Sequence, residues 1–148
     1  MEFNTRFSVI HGDMLTLKLI ETCVGDENIT PFYYYDIYVN HQDVPIGKIS
    51  IRIGHNKHSY YNGNLGYEID EPYRGHGYAV EAVKMTYAIA RHHMMDYLMV
   101  SCHHDNNQSI RVIEKLGGIH LETIMPPKDY IFYYEGMPKQ MIFKIELN

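Results

Sequence analysis

The chain has 148 residues, of which 45% are hydrophobic, 21% charged and 13% aromatic, which excludes a disordered or fibrous protein and indicates one globular domain over residues 1–148. Its net charge is -5 with histidine neutral, and its basic residues are scattered, so we expect no nucleic-acid partner. An acidic surface mildly favours cationic substrates such as amines, although it also serves solubility alone.

The N-terminal segment carries acidic and polar residues where a signal peptide needs an apolar stretch. No window approaches the roughly 20 apolar residues of a membrane span. We therefore expect a cytoplasmic protein without a membrane partner. Cys23 and Cys102 are the only cysteines, and their separation predicts two buried thiols in a reducing compartment rather than a disulfide framework.

The first half of the chain is rich in strand patterns. Leucine alternates with other residues over 15–21, which predicts a strand. The tyrosine-rich segment 31–39 and the alternating segment 46–53 are separated by turn residues, so together they predict a hairpin. The polar segment 54–63 predicts a loop, because glycine and asparagine punctuate it, and alternation resumes in a strand over 64–70.

Helical spacing replaces alternation in the second half. Small and apolar residues recur on one face over 78–92 and predict a single amphipathic helix packed on a sheet. A short apolar run at 97–102 predicts a central strand that is buried on both faces. A second helix is predicted over 107–116, with Asp105 or Asn106 as its N-terminal cap.

Two further strands, at 119–125 and 140–147, complete the predicted elements. The order is four strands, a helix, a strand, a helix and two strands. It predicts the α+β class, with a mixed, mostly antiparallel sheet of about seven strands flanked by helices.

The segment from Gly66 to Ala79 carries the strongest functional signal, because a strand, a glycine-rich turn and a helix follow one another. The glycines leave backbone N–H groups uncovered at the positive end of the helix dipole, which predicts an anion site. Arg74 and His76 can add side-chain donors. A Rossmann loop would need glycine or alanine where the chain has Val80, and no Walker sequence is present. A tight turn without a ligand is the alternative.

Two motifs resemble the GNAT acetyltransferase superfamily. Residues Arg74 to Ala79 are similar to its Arg/Gln-x-x-Gly-x-Gly/Ala signature. Further along, Asn106 to Ser109 and then Glu114 to Gly117 are similar to the family's Asn-x-x-Ser/Ala helix, which ends in Lys-x-Gly. The resemblance covers roughly residues 46–125 and is specific because both motifs stand in the family's order and separation.

The resemblance implies acetyl-CoA as the acetyl-donor cosubstrate and an amine acceptor. We expect no metal, because adjacent histidines such as His92 and His93 point in divergent directions and no cysteine or carboxylate cluster completes a tetrahedral set. The resemblance also implies that the main chain after Arg74 holds the CoA pyrophosphate and that the strand edge at Tyr67 to Ile69 pairs with the pantetheine amides. Asn106 would hydrogen-bond near the thioester. The implied cofactor-binding residues are Tyr67, Ile69, Arg74, Gly75, His76, Gly77, Tyr78, Ala79 and Asn106.

Acetyl transfer to an amine needs a group that accepts the ammonium proton, and it benefits from a donor to the departing thiolate. Glu68 is the predicted base, because it lies on the strand beside the implied thioester and points opposite the apolar face. A solvated glutamate without a catalytic part is the alternative. Ser109 is the candidate thiolate donor by resemblance to family members with serine at this position, and an ordinary first-turn serine is the alternative.

One departure concerns the general acid. Many family members carry a tyrosine four residues beyond this serine, where the chain has Ile113. Ser109 or a tyrosine of the loop before the last strand, Tyr130, Tyr133 or Tyr134, would take over, or activity would be weakened. A non-catalytic acyl-CoA-binding module is therefore the alternative function, and another nucleotide-binding α/β domain is a third hypothesis.

The acceptor pocket is expected to be open. The family inserts helices between its first two strands, whereas residues 22–31 alone fill that space here. One face of the next strand reads Phe32, Tyr34, Asp36 and Tyr38, so an acid among aromatic rings could hold a cationic amine. A tyrosine-rich solvent face is the alternative. Because many family members pair through sheet edges, the resemblance also allows a homodimer.

Overall fold

The computed structural model describes residues 1–147 and has the predicted α+β class, with antiparallel sheets flanked by few helices. Two short 3-10 helices cover Thr5–Phe7 and Glu71–Tyr73. The strands and α-helices are, in chain order, β1 (Val9–His11), β2 (Leu15–Cys23), β3 (Phe32–Val39), β4 (Gly47–Arg52), α1 (Lys57–Asn62), β5 (Leu65–Ile69), α2 (Tyr78–Met85), α3 (Tyr87–His92), β6 (Tyr97–His103), α4 (Asn107–Lys115), β7 (Ile119–Ile124) and β8 (Gln140–Glu146).

The strands form two antiparallel sheets. One has five strands in the order β1-β2-β3-β4-β5, and the other has three in the order β6-β8-β7. The predicted hairpin is β3 with β4, where Tyr35 lies opposite Ile49. The predicted seven strands did not include β1, because three residues are too few to show a period.

The tyrosine-rich strand β3 divides its side chains between two environments. Tyr33 and Tyr35 are fully buried in the core between the larger sheet and the helices. Their hydroxyls find partners, since Tyr35 donates to the Phe7 carbonyl at 2.7 Å and Tyr33 lies 2.8 Å from His93 Nε2. Both tyrosine rings can therefore be buried without leaving their hydroxyl groups unsatisfied. The alternate residues of β3 lie on the opposite, more polar face.

The predicted single helix over 78–92 is interrupted at Thr86, so α2 and α3 are separate helices. Thr86 is buried, and both its backbone N–H and its hydroxyl donate to the Val83 carbonyl, at 3.0 and 2.7 Å. A threonine hydroxyl that bonds a nearby carbonyl offers an alternative to the helical pattern. The apolar stripe continues across the break, so the spacing of apolar residues does not reveal that the helix is interrupted.

The predicted loop over 54–63 was also wrong in part, because it contains the helix α1. Asn56 accepts hydrogen bonds from the backbone N–H groups of His58 and Ser59, and the Ser59 hydroxyl accepts from the Asn56 N–H. This reciprocal cap stabilises a short helix that has no apolar stripe of its own.

The cysteines lie in different sheets and are both free. Cys102 on β6 is buried, whereas Cys23 at the end of β2 is half-buried, so the expectation of two buried thiols holds only for the first. Within residues 1–147, none of the helices has the length and apolar content needed to cross a membrane.

Asn64 joins the two sheets. Its backbone N–H donates to the Met99 carbonyl at 2.6 Å, and its side-chain oxygen accepts from the Met99 N–H at 2.8 Å. Its amide nitrogen donates to the carbonyls of Arg52 and Gly54 at 3.0 and 2.8 Å. β5 and β6 belong to different sheets, and beyond this contact a cleft lies between them, lined by residues of β5, β6 and α4.

We expect Asn64→Ala to lower the free energy of unfolding by about 3 kcal/mol, because it leaves several buried backbone groups without partners. Urea denaturation would measure the loss. Asn107→Ala, at an exposed position, is the matched control and should change stability by less than about 0.5 kcal/mol. Equal effects of the two substitutions would show that Asn64 does not hold the sheets together.

Candidate functional site

The loop between β5 and α2 presents its backbone amides at one end of the cleft. Gly75 and Gly77 adopt left-handed conformations with φ of +87° and +77°, and the space beside each is open. Within residues 1–147, no N–H group of residues 75–80 donates a hydrogen bond, and the first helical bond runs from Glu81 N–H to the Gly77 carbonyl. Free amides at the positive end of a helix favour an anion.

Basic side chains from two elements surround this loop. Arg74 is fixed by its Nε, which donates to the Ile69 carbonyl at 2.7 Å. Arg111 and Lys115 lie one turn apart on α4 and line the same cavity of about 200 Å³. Both side chains therefore face the start of α2. Their spacing with Gln108 on one helical stripe was the signal that could have found them.

The predicted histidine of this loop is exposed at the loop tip. The His76 ring lies 5.4 Å from the ring of Tyr78, centroid to centroid. Tyr78 and Ala79 begin α2 and line the cavity beside the loop. The structure therefore brings Arg74, the two glycines and the start of α2 together around one opening, while His76 lies at its margin.

The free edge of β5 forms one wall of the cleft. Antiparallel pairing turns the backbone groups of Gly66 and Glu68 towards β4, so those of Tyr67 and Ile69 lie at the free edge. Asn106 lies across the cleft and caps α4, because its side-chain oxygen accepts from Ser109 N–H at 3.1 Å. Its amide nitrogen remains available as a donor into the cleft.

The Tyr67 side chain crosses the cleft. Its hydroxyl lies 2.9 Å from Ser109 Oγ, with Cys102 beside the serine. Burial raises the pKa of Tyr67, so its hydroxyl is protonated at neutral pH. The sequence had suggested a role only for the Tyr67 main chain. Its hydroxyl was missed, because meeting Ser109 depends on how the sheets diverge.

Ile113 occupies the position of the usual tyrosine and is fully buried, with its Cγ2 against Gly118. Of the three loop tyrosines, Tyr130 and Tyr134 line a cavity of about 400 Å³ that Ser109 also lines. Burial raises the pKa of Tyr130 to about 12. Tyr133 instead donates to Glu135 at 3.4 Å and lies outside this cavity.

A larger cavity of about 520 Å³ lies on the polar face of the five-stranded sheet. Carboxylates, a guanidinium and aromatic rings line it, namely Glu21, Phe32, Tyr34, Arg52, Glu68 and Phe132. Residues 24–31 cross from β2 to β3 without a helix, which agrees with the expected short cover.

The predicted acid of this face, Asp36, is engaged elsewhere. Its carboxylate accepts from Lys48 Nζ at 3.0 Å and does not line the cavity. Tyr38 likewise contacts Lys18, whose ammonium lies 4.5 Å from the ring centroid. The carboxylates that do line the cavity are Glu21 and Glu68, and Glu68 also lines the cleft. Glu68 therefore stands where the cavity and the cleft meet.

The chain has ten histidines. Within the described part of the chain, no group of three or more histidine, cysteine or acidic side chains has an arrangement that could hold a metal ion.

A family model described as the acetyltransferase (GNAT) domain matches residues 11–119 of the chain. Among curated proteins no sequence matches. A solved structure from Vibrio cholerae, provisionally described as a ribosomal-protein-serine acetyltransferase, is similar with a TM-score of 0.67 and 17% identity, over 93% of this chain and 97% of that one.

Two other solved structures are similar. The ribosomal L7/L12 alpha-N-protein acetyltransferase RimL has a TM-score of 0.68 and 12% identity, over 93% of each chain. The microcin C7 self-immunity acetyltransferase MccE, in complex with acetyl-CoA and AMP, has a TM-score of 0.59 and 15% identity, over 78% of this chain and 61% of that one. At these identities the likeness shows the fold.

Proposed function

Because the chain belongs to the GNAT acetyltransferase family and is an acyltransferase, we propose that it transfers the acetyl group of acetyl-CoA to a primary amine of a small molecule, protein or peptide. The resemblance drawn from the two sequence motifs is thereby confirmed. The observation that carries the proposal is the run of unpaired amides at residues 75–80, which opens into a cleft that reaches the 520 Å³ cavity.

The charges along the cleft support a cofactor orientation in which the phosphates of CoA lie at the loop after β5 and the acetyl group lies towards the 520 Å³ cavity. The CoA pyrophosphate would lie on the amides from Gly75 to Ala79, and Arg74, Arg111 and Lys115 would offset the phosphate charges. The pantetheine arm would pair with the free edge at Tyr67 and Ile69. One of the structural relatives was solved with acetyl-CoA, which agrees with this choice of ligand.

The proposed chemistry is direct attack. The ammonium first loses one proton to Glu68 or to a water chain beside it, and the amine nitrogen then bonds to the thioester carbon. The carbon–sulfur bond breaks, and the nitrogen releases its second proton to solvent, from which the hydroxyl groups that serve the thiolate are reprotonated. The thiolate takes a proton from Ser109, which the protonated Tyr67 hydroxyl can replenish. This pair supplies hydroxyl donors although Ile113 replaces the family's tyrosine.

The test is release of free thiol from acetyl-CoA with small amines, polyamines, amino acids and peptides, beside calorimetry with CoA. Turnover with any amine supports the proposal. Binding of CoA without any acceptor would favour the non-catalytic acyl-CoA-binding module, and absence of CoA binding would overturn both.

We expect Tyr67→Phe to lower kcat by about tenfold while leaving CoA affinity unchanged, because it removes a proton donor and little binding area. Ser109→Ala should cause a similar loss. The double variant should lose no more than either one, since the hydroxyls act as a pair. Stopped thiol-release assays would measure these rates. Tyr97→Phe is the control, and equal rates in all variants would refute a role for the pair.

A further inference from the structure

Arg52 lines two cavities: the one of about 520 Å³ on the polar face of the larger sheet, here called the acceptor cavity, and the one of about 400 Å³ that Ser109 and Tyr130 also line. It ends β4, and its side chain crosses towards β5, where Nη1 donates to the Gly63 carbonyl at 3.1 Å. Nη2 lies over Gly66, where an added Cβ would stand 3.1 Å away. Gly66 therefore leaves room for the flat guanidinium against the strand.

The Arg52 guanidinium has no counter-charge. The ion pairs formed within residues 1–147 join lysines to acids, and none includes Arg52. Of its five N–H donors, one is used, at Gly63. Burial lowers the pKa of Arg52, although Tyr130 nearby opposes the shift. A half-buried cation without a charged partner is only partly solvated, so the site is suited to an anion that arrives from outside.

Acetyl-CoA would not supply that anion in the proposed arrangement. Its phosphates would lie at the other end of the cleft, beside Arg111 and Lys115, and its pantetheine arm and acetyl group are uncharged. The charge that meets Arg52 must therefore belong to the acceptor.

The charges that line the acceptor cavity favour a carboxylate over a phosphate. Glu21 and Glu68 line the same space, so a dianionic phosphate would face two like charges with one free cation to offset them. A carboxylate carries a single charge, and its two oxygens match the fork of a guanidinium. Lys48 is already paired with Asp36.

The opposite charge lies close by. Glu68 stands on the same face of β5, two residues beyond Gly66, a step of about 6.6 Å along a strand. A short molecule could thus direct its ammonium group to Glu68 and its carboxylate to Arg52. The rings of Phe32, Tyr34 and Phe132 provide an apolar wall for a side chain.

Resting on the function proposed above, we infer that the acceptor is a free amino acid with an apolar side chain, whose carboxylate binds the Arg52 guanidinium and whose amine is presented beside Glu68. The volume of about 520 Å³ suits a small molecule.

The first experiment compares matched acceptors. Phenylalanine and leucine are compared as acceptors with phenylalaninamide and leucinamide. Each rate is divided by the concentration of unprotonated amine, because the amino group of an amino-acid amide has a lower pKa than that of the free amino acid. Wild type should prefer the acid by at least about 30-fold in kcat/KM, since a site built for a polar group rejects the analogue that lacks it. Arg52→Met should bring the ratio close to one while CoA affinity stays unchanged. Arg52→Lys, which keeps the charge, should retain part of the preference and covers the case in which the methionine variant does not fold.

A binding experiment needs no turnover. With CoA present, N-acetylphenylalanine should raise the melting temperature of wild type more than N-acetylphenylalaninamide does, and Arg52→Lys and Arg52→Met should reduce that difference. This result supports the inference even if no amine is acetylated, and CoA calorimetry then reports on the cofactor site separately. Equal kcat/KM for acid and amide, or equal stabilisation by their acetylated products, in wild type would overturn the inference. So would a preference for peptides with a blocked C-terminus, or an equal loss with acid and amide in Arg52→Met, which would assign Arg52 to the thioester carbonyl.

Discussion

Gly77→Val is expected to lower the affinity for CoA by on the order of 100-fold. Gly77 has φ of +77°, which a β-branched residue adopts only with strain. Relief of that strain would rotate the peptide units that aim the amides of residues 75–80 at one point. The bulk of valine would also stand over them, since the space there is open. Calorimetric titration with CoA measures the loss.

The matched control is Gly117→Val. Gly117 follows α4, also has φ of +77° and also has open space beside it, so valine imposes comparable backbone strain there. Both variants should lose stability, and only the first should lose CoA affinity. If the two variants bind CoA as wild type does, the loop amides are not the phosphate site and the proposed function fails with them.

Glu68→Gln is expected to lower kcat/KM by about 100-fold with the best acceptor, because glutamine cannot accept the ammonium proton. The affinity for CoA should stay unchanged, since Glu68 turns its backbone towards β4 and not towards the cleft. The rate deficit should shrink at high pH, where the amine is already deprotonated. Steady-state thiol release across pH would measure both effects.

Glu21→Gln provides the comparison, because Glu21 lines the acceptor cavity but not the cleft. It should alter KM more than kcat. A Glu68→Gln enzyme with wild-type rates would assign proton removal to water, whereas equal losses in both variants would indicate general electrostatics of the cavity.

The sequence predicted those parts of the site that depend on local structure. The loop with its two left-handed glycines follows from a strand, two glycines and a helix start in succession, and the cap at Asn106 from a short polar residue before a helix. The break at Thr86 was hidden because the buried stripe continues through it. The helix after Asn56 was not predicted, because it has no apolar stripe and only its N-terminal cap marks it in the sequence.

The remaining site residues depend on how elements meet. The Tyr67 hydroxyl meets Ser109 because β5 and α4 lie on opposite sides of the cleft, and no local pattern encodes that placement. Asp36 is paired with Lys48 because the register of β3 and β4 sets them opposite each other. The Arg52 guanidinium lies against β5 because Gly66, which is opposite the nearby Ser50, has no side chain there. Each of these follows from tertiary placement and not from spacing along the chain.

The junction at Asn64 has a mechanical consequence. The backbone ladders of the two sheets end on either side of the gap, so rotating one sheet about this junction breaks no ladder hydrogen bond. Rotation would instead be resisted by the Asn64 hydrogen bonds, by the Tyr67–Ser109 contact and by the core that residues of both sheets share. The spacing of the two walls of the cleft is thus set by side chains and not by backbone pairing.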